Sequence, residues 1–531
     1  MKPLPSDLAV GAAFLRRLPS FLRGKLDSPR AEAILGNRLR NRQARFLSLA
    51  RRGIYENPSS PYLKLLANAG CAFGDLEELV RKEGLEGALA DLLESGVYLK
   101  VGEFKGRQPL KRPGLTMEIG PESVRNPGAD FHIPVKSSGS RSSGTPVLID
   151  LAYVAECAVN CQMMFVARGG EEWVKADWEV PGGGAVFRLL KFSRFGNRPE
   201  RWFSQLDPAA PGLHPRYAWS AKALRLGSLM ADAPLPRLEH VSLDDPMPIV
   251  RWMAGVLENG KAPCLFTFPS SAVRVARAAL NAGVDLDGAR FLISGEPITE
   301  ARVEIIRRAG GRPLARYGTI ECGPIGYGCL DPTAPDDVHL HTDLHAVIKA
   351  GEWGEREGLP GEALFLTTLS PCAPFVFLNV SMGDTAVLDR RDCGCPLGAL
   401  GWQTHISGIR SFEKLTGSGM TFLDTDVVRV LEEVLPAVFG GAPTDYQLLE
   451  EEGPEGDPVL KLLAHPGLGA LDEGRVRKVF FANIGLGSGA EKVMELTWKQ
   501  AGLFRIERRP PVSTGSGKIL HLHVNRGTGR T

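Results

Sequence analysis

The stretch Cys264–Ala309, CLFTFPSSAVRVARAALNAGVDLDGARFLISGEPITEARVEIIRRA, contains two strand–helix units in succession. In the first unit, the apolar run Cys264–Phe268 predicts a buried strand, and Ser270–Ala282 predicts a helix. The second unit repeats the pattern, with Arg290–Ser294 as the strand and Thr299–Ala309 as the helix. Alternating strands and helices are typical of sheets covered by helical layers. The stretch therefore predicts an α/β fold.

The same alternation continues on both sides of this stretch. Upstream, Phe131–Val135 and Pro146–Ile149 predict two strands around a loop rich in Ser and Gly, and a helix follows from Leu151. Downstream, the apolar run Gly361–Leu369 predicts a further strand, whereas the leucines of Tyr62–Leu99 have helical spacing. We expect a large N-terminal domain of packed mixed sheets with flanking helices.

A change in the pattern near Gly408–Ser411 predicts a boundary between two domains. Residues 1–408 would form the large domain, with residues 1–130 as a mostly helical lead-in, and residues 409–531 would form a small α+β domain. The predicted elements of the small domain are strands at Tyr446–Glu450, Val459–Ala464 and Leu503–Arg508, and helices at Asp424–Leu435, within Asp472–Phe481 and within Ala490–Gln500.

The composition of the 531 residues limits the class of protein. Hydrophobic residues make up 43% and charged residues 23%, which excludes a disordered, collagen-like or coiled-coil chain. Lys and Arg total 63 and Asp and Glu total 61, so the net charge of +2 gives no argument for a nucleic-acid partner. No apolar run approaches the ~20 residues of a membrane span. Nine Cys and no recognisable signal peptide predict a cytoplasmic location.

The first 52 residues are basic and allow two interpretations. Their only acidic residues are Asp7, Asp27 and Glu32. A basic surface could bind an acidic partner such as a carrier protein. A solvated helical face is the preferred interpretation, because charge runs on helices usually face water.

Five short motifs carry groups that could bind a nucleotide. The first is Lys136–Pro146, in which Ser and Thr hydroxyls and backbone N–H groups could converge on a phosphate. It lacks the Gly-Lys-Ser/Thr ending of a P-loop, and a flexible loop is the alternative. The second is Ser294-Gly295-Glu296-Pro297, where an α/β sheet could bind a ligand just after a strand. Its alternative is a plain turn.

The remaining motifs offer a carboxylate, an aromatic ring or a cation. Arg316–Gly323 could stack a base, bind a phosphate and hold a divalent cation, and its alternative is a core Tyr with a surface Glu. Gly383-Asp384 could hold the hydroxyls of a ribose, or be a turn. Thr514–Lys518 could deliver a mobile cation from a Gly-rich segment, or be a hairpin turn with an exposed Lys.

In their order and spacing, the five motifs together resemble the adenylate-forming superfamily of acyl-CoA synthetases, peptide-synthetase adenylation domains and luciferases. The chain looks most similar to the phenylacetate-CoA ligase-like branch, and the resemblance covers about Tyr55 to Val524. It implies an ATP- and carboxylate-binding domain in residues 1–408 and a mobile C-terminal lid in residues 409–531.

The resemblance also implies a role for each motif. The ATP β- and γ-phosphates would be bound by Ser137, Ser138, Gly139, Ser140, Ser143, Gly144 and Thr145. The nucleotide would be bordered by Ser294, Gly295, Glu296, Tyr317, Gly318, Asp384 and Arg410. Within this set, Tyr317 would pack on the adenine and Asp384 would hold the ribose. Thr319 would touch the α-phosphate, Glu321 would bind Mg²⁺, and Lys518 would bridge the substrate carboxylate and the α-phosphate.

These groups imply ATP-dependent activation of an aromatic or medium-sized carboxylic acid to an acyl-AMP, with release of pyrophosphate. Transfer to a thiol would follow, with CoA as the expected acceptor and an acyl or peptidyl carrier protein or an amine as the alternative. The phosphate loop is about two residues longer than the family pattern and lacks its Lys, so a non-catalytic nucleotide-binding regulatory protein is a third interpretation. A monomer or homodimer is expected.

Cysteine and histidine residues in the second half of the chain predict a structural zinc site. A tetrahedral site could combine the Cys-x-Cys pair Cys393 and Cys395 with Cys329 and one imidazole, and free buried thiols are the alternative. The phenylacetate-CoA ligase-like resemblance favours His341 over His339 as the imidazole ligand.

Overall fold

A computed structural model describes most of the chain. The described residues are 7–130, 132–136, 145–195, 198–207, 216–243, 245–296, 298–411, 416–417, 420–421, 430–441, 445–452, 458–484, 504–512 and 522–524. The predicted helix within Ala490–Gln500 lies outside these residues.

Helices make up most of the first hundred residues and alternate with strands further on. The helices are α1 (Asp7–Arg23), α2 (Ser28–Arg40), α3 (Arg42–Ala50), α4 (Pro61–Asn68), α5 (Phe73–Glu94), α6 (Val101–Phe104), α7 (Leu151–Val166), α8 (Gly183–Ser193), α9 (Arg216–Met230), α10 (Met247–Glu258), α11 (Pro269–Ala282), α12 (Glu300–Arg308), α13 (Gly351–Arg356) and α14 (Pro396–Ala399), with Leu435–Phe439 and Glu473–Asn483 near the C-terminus.

Twelve strands form one continuous mixed sheet, in the order β13-β14-β15-β16-β12-β11-β10-β9-β8-β5-β6-β7. The strands of this sheet are β5 (Val174–Glu179), β6 (Arg201–Ser204), β7 (Leu238–His240), β8 (Pro263–Thr267), β9 (Arg290–Ile293), β10 (Arg312–Thr319), β11 (Gly323–Gly328), β12 (Val338–Leu340), β13 (His345–Lys349), β14 (Ala363–Thr368), β15 (Val380–Arg390) and β16 (Thr404–Ser411). Pairing is parallel from β7 to β10 and antiparallel from β10 to β13.

The two predicted strand–helix units form the centre of the parallel half. Strand β8 is buried along its whole length, as is typical of a parallel strand covered on both faces. Helix α11 begins with Pro269 and ends at Gly283, whose φ of 65° suits a glycine. The Thr299 hydroxyl caps α12 by accepting a hydrogen bond from the Arg302 backbone N–H. The α/β fold predicted from the stretch is confirmed.

Four short strands before the large sheet pair in two hairpins, and the C-terminal strands form a small sheet. The strands that do not belong to the large sheet are β1 (Leu110–Arg112), β2 (Leu115–Met117), β3 (Ile133–Lys136), β4 (Pro146–Ile149), β17 (Thr416–Gly417), β18 (Met420–Thr421), β19 (Tyr446–Glu452), β20 (Pro458–Ala464), β21 (Phe504–Glu507) and β22 (Leu522–Val524). The small sheet has the order β21-β20-β19-β22. Its hydrophobic core includes Leu206, which follows β6 of the large sheet.

The predicted domain boundary falls inside a strand of the large sheet. Strand β16 runs to Ser411 and pairs with β15 as far as Asp384. The large sheet therefore extends three residues beyond the predicted end at residue 408. In the small domain, the predicted strands at Tyr446 and Val459 are present as β19 and β20. A π-helical turn, Val430–Val434, precedes the helix Leu435–Phe439.

The basic lead-in is anchored to the large domain through its arginines. Arg38 is 5% exposed, and its Nη1 lies 3.5 Å from Asp343 Oδ2. Arg45 Nη2 lies 3.1 Å from Glu156 Oε1, and Arg42 Nε donates a hydrogen bond to the Thr342 carbonyl oxygen. The solvated-face interpretation is therefore wrong for these three arginines. Across the described residues, no helix combines the length and hydropathy needed to cross a membrane.

Candidate functional site

A hydrogen bond joins two of the predicted nucleotide-binding residues, one on the β10–β11 hairpin and one on β15. The Tyr317 hydroxyl near the end of β10 donates a hydrogen bond to Asp384 Oδ2 on β15, at 2.9 Å. Burial, with the negative charge of Asp384 as the next cause, raises the pKa of Tyr317 well above its usual value. The phenol therefore remains protonated and can donate to the carboxylate.

The turn of this hairpin is closely packed. A Cβ on Gly318 would lie 2.5 Å from the Gly323 carbonyl oxygen, so the strand requires a glycine there. The Thr319 hydroxyl accepts a hydrogen bond from the Cys322 N–H at 3.0 Å, and the Tyr153 hydroxyl on α7 donates to the Cys322 carbonyl. These contacts fix the backbone on which Glu321 is carried.

Glu321 is buried, which excludes the alternative of a surface carboxylate. Its Oε1 lies 3.2 Å from Lys105 Nζ, and the two side chains are 5% and 3% exposed. Lys105 follows helix α6 of the lead-in. The predicted Mg²⁺ ligand is thus paired with a cation that the sequence did not single out.

The segment after β9 provides a turn and a buried ion pair. Ser294 Oγ accepts a hydrogen bond from Arg316 Nη1 at 3.0 Å. Gly295 has a φ of 90°, a value that favours glycine. Glu296 Oε2 lies 3.3 Å from Arg302 Nη1, with side chains 0% and 3% exposed. Glu296 is therefore held in place by α12 and is not a mobile surface group.

Arg410 lies on β16 at the predicted domain boundary, where an acidic side chain holds the backbone. Asp336 accepts hydrogen bonds from the Gly408 and Ile409 N–H groups, at 2.9 and 2.8 Å. Its Oδ2 also lies 3.1 Å from Arg410 Nη1. One carboxylate thus fixes three consecutive residues at the end of the large sheet.

Two predicted parts of the site fall outside the described residues. These are the phosphate-loop residues Ser137, Ser138, Gly139, Ser140, Ser143 and Gly144, and the predicted catalytic residue Lys518. Strands β3 and β4 flank the loop as an antiparallel pair, and Thr145 at its end is 3% exposed.

Three thiols and two imidazoles meet at the other end of β11. Cys329 Sγ lies 4.0 Å from Cys395 Sγ, and His339 Nε2 lies 3.1 Å from Cys395 Sγ and 3.7 Å from Cys393 Sγ. Ligand atoms of Cys329, His339, Cys393 and His405 all lie within 4.8 Å of one another. We call these five residues the Cys/His group.

The imidazoles of this group are His339 and His405, and the preference for His341 needs correction. His341 Nδ1 lies 3.2 Å from the Pro324 carbonyl oxygen, and its ring packs against Tyr327 and Trp402. Residues two apart on a strand face the same side, so the pattern could not separate the two. The two imidazoles lie in different surroundings because β12 ends at Leu340, and His341 begins the turn that follows.

Four donors drawn from the Cys/His group fit a tetrahedral zinc ion in type and in spacing. With Zn–S and Zn–N bonds of usual length, ligand sulfurs would be about 3.8 Å apart and sulfur and nitrogen about 3.6 Å apart. Burial lowers the pKa of His339 to about 4, so the ring is neutral, and its Nδ1 faces the Trp402 carbonyl. That contact directs Nε2 to the thiols, as in many metal sites.

The fold can be compared with those of solved structures. A structure of a 2-hydroxyisobutyryl-CoA ligase in complex with 2-HIB-AMP and CoA aligns over 92% of this chain and 90% of its own, with a TM-score of 0.54 and 12% sequence identity. The chain has the fold of adenylate-forming ligases. A second structure of that ligase, in a postadenylation state, covers 92% of this chain and 89% of its own, at a TM-score of 0.48 and 14% identity.

A more distant match with the adenylate-forming fold is an o-succinylbenzoate CoA synthetase from Bacillus subtilis. It covers 75% of this chain and 69% of its own, at a TM-score of 0.42 and 13% identity. No protein-family model matches the chain, and no curated protein does.

Proposed function

We propose that this protein is an adenylate-forming ligase that activates a carboxylic acid with ATP and transfers the acyl group to a thiol. The observation that carries the proposal is the hydrogen bond between Tyr317 and Asp384. It joins two separate motifs beside Thr319 and Glu321, and the resemblance to adenylate-forming enzymes assigns all four residues to the nucleotide. The acid is aromatic or medium-sized in this proposal.

The first half-reaction is an attack by a carboxylate oxygen of the acid on the α-phosphorus of ATP. The bond to the β-phosphate breaks, and pyrophosphate leaves with its electron pair. The protein mainly positions the two anions and neutralises the charge that develops between them. Thr319 and Lys518 would contact the reacting phosphate, while Tyr317 and Asp384 would orient the adenine and the ribose.

Two metal sites belong to the proposal. Glu321 would hold Mg²⁺, which supplies charge neutralisation on the ATP phosphates when bound. Binding requires Glu321 to exchange its contact with Lys105 for the metal. The Cys/His group would hold a structural zinc ion that ties the end of β11 to β12, β16 and the loop of Cys393 and Cys395.

CoA is the proposed acceptor in the second half-reaction. Its thiol sulfur attacks the acyl carbon, AMP leaves, and the thiol proton passes to solvent. Support comes from the 2-hydroxyisobutyryl-CoA ligase structure, which contains 2-HIB-AMP and CoA in a thioesterification state.

The deciding experiment is ATP–pyrophosphate exchange with aryl, aliphatic and amino acids. Exchange should appear with one class and fall by on the order of 10²–10³ in Lys518→Ala, because a preorganised charge is lost. Lys478→Ala is the matched control, since Lys478 is exposed on the C-terminal helix Glu473–Asn483.

The outcomes separate the proposal from its rivals. Exchange that is unchanged in Lys518→Ala would contradict the assignment of the lysine. ATP binding without exchange for any acid would contradict catalysis and favour a regulatory protein. Exchange without product on free CoA, but with product on an acyl carrier protein or an amine, would contradict CoA as the acceptor.

A further inference from the structure

Three cationic side chains lie close together near the carboxyl ends of the parallel strands. Arg316 precedes Tyr317 on β10, so the two side chains point to opposite faces of the sheet. The Arg316 side chain faces Ser294 and Phe266, and its Cζ lies 5.6 Å from the Phe266 ring centroid. Arg188 on α8 lies over the same ring, at 4.5 Å. Phe266 thus lies next to both guanidinium groups.

The third cation, Lys191, is one turn further along α8. It is fully buried, and its Nζ donates a hydrogen bond to the Tyr327 hydroxyl at 3.0 Å. Burial lowers the pKa of Lys191 to about 8, and the positive charges of Arg316 and Arg188 add to this effect. The ammonium group nevertheless remains mostly protonated at neutral pH.

The carboxylates of this region do not balance the three cations. Arg188 Nε pairs with Asp177 Oδ1 at 2.8 Å, and Arg188 Nη2 contacts Glu179. No ion pair joins Lys191 or Arg316 to a carboxylate within the described part of the chain. Three positive groups therefore face two negative ones in a buried region, where an uncompensated charge is costly.

The surplus positive charge lies where a ligand of an α/β sheet is expected. Glu179, Thr267 and Ser294 mark the carboxyl ends of β5, β8 and β9, and open α/β sheets bind ligands at that edge. Arg316 is half-buried, and its buried Nε has no hydrogen-bond partner among the described residues. A polar donor is thus available at this edge of the sheet.

We propose that the acid activated by this protein carries a second anionic group, a carboxylate or an equivalent, which binds to Arg316 and Arg188. Lys191 adds long-range attraction from behind them. The inference rests on the proposed function and names its substrate class. The reacting carboxylate must lie next to Thr319 and the nucleotide, whereas Arg316 points to the face of β10 opposite Tyr317. The cations would therefore bind the distal end of the acid.

The test compares acids that differ only in the second charge: valerate with glutarate, and benzoate with isophthalate. Each is assayed by ATP–pyrophosphate exchange, and by the shift in the melting temperature of the full chain with ATP and Mg²⁺. The variants are Arg316→Met and Lys191→Met, which keep an unbranched side chain and remove the charge. Arg312→Met, at an exposed position on the same strand, is the control.

We expect at least one diacid to exceed its monoacid partner at least tenfold in kcat/KM. This ratio should fall at least tenfold in Arg316→Met and less in Lys191→Met, because lost charge-assisted hydrogen bonds have effects of that order. A preference for monoacids overturns the inference, as does a ratio unchanged by both substitutions. An Arg316→Met variant that raises the KM of ATP and leaves the ratio unchanged would assign the cations to the nucleotide and also overturns it.

The melting temperature separates this inference from the proposed function. If no acid supports exchange, the proposed function fails, yet stabilisation by a diacid that disappears in Arg316→Met still supports the second-anion site. If the monoacid and the diacid of a pair shift the melting temperature equally, or if neither shifts it, the proposed second-anion site is refuted. If Arg316→Met does not fold, Lys191→Met decides by the same two readouts.

Discussion

Lys105 Nζ lies 3.2 Å from Glu321 Oε1, with both side chains almost completely buried. The contact joins the helical lead-in to the hairpin that carries the proposed Mg²⁺ ligand. Breaking a buried ion pair by removing one partner typically costs 3–5 kcal/mol, because a charge is left uncompensated. A divalent cation could supply the missing charge.

This pair predicts that Mg²⁺ stabilises a Lys105→Met variant more than the wild type. Without Mg²⁺, the variant should unfold several degrees lower, and millimolar Mg²⁺ should restore much of the loss. Thermal unfolding with and without Mg²⁺ measures the effect, with the exposed Lys111→Met as control. An equal response of both proteins to Mg²⁺ would refute a metal role for Glu321.

A second prediction concerns the hydrogen bond from Tyr317 to Asp384. Tyr317→Phe keeps the ring and removes the hydroxyl, so Asp384 loses a partner that orients it. Loss of a hydrogen bond to a charged group costs about 1.5–3 kcal/mol, so the KM of ATP in the exchange assay should rise on the order of tenfold or more. Tyr446→Phe, whose hydroxyl bonds Gly440 in the small domain, is the control. An unchanged KM would separate Tyr317 from nucleotide binding.

A third prediction distinguishes the two neighbouring histidines. Elemental analysis of the purified protein should find about one zinc per chain. Cys393→Ser and His339→Gln should lower that content strongly, whereas His341→Gln should keep it, because His341 faces Pro324 and not the thiols. Retention of zinc in His339→Gln together with loss in His341→Gln would reverse the assignment.

A fourth prediction follows from His345, a fully buried residue whose pKa is lowered to about 4 by burial. The native ring is neutral, while the unfolded chain takes up a proton below about pH 6.5. The stability from this group is therefore complete above pH 6.5 and is lost as the pH falls towards 4, at up to about 1.4 kcal/mol per pH unit. Unfolding of wild type and His345→Gln between pH 7 and 4 should show a flatter dependence in the variant. The exposed His240→Gln is the control, and parallel curves for wild type and His345→Gln would refute the prediction.

Elements could be predicted from the sequence where the pattern that defines them lies within one short stretch of the chain. Strand β8 and helix α11 could be predicted because one is a continuous apolar run and the other has helical spacing bounded by Pro and Gly. The motif that contains Tyr317 and Glu321 could be singled out because its groups lie within a few residues, whereas its hairpin form was not predicted. The adenylate-forming fold followed from the order of such local motifs.

Contacts between distant segments carried no comparable signal. Lys105 belongs to none of the five motifs, and only the packing of the lead-in brings it next to Glu321. His339 and His341 are two residues apart, so on a continuous strand both would point to the same face. Their different surroundings therefore depend on where β12 ends. Asp336 could not be connected with Arg410, since the antiparallel pairing of β12 with β16, about 70 residues apart in the chain, brings them together.

The ion pair between Arg38 and Asp343 has a consequence for shortened forms of this chain. Asp343 also accepts hydrogen bonds from Asn160 and from the Trp402 indole, so it joins α2, α7 and the segment beside the Cys/His group. A chain that starts after Arg38 would leave this carboxylate inside the protein without its cation. The lead-in is thus an integral part of the large domain, and domain exchange between proteins of this fold should transfer it together with the sheet that it packs against.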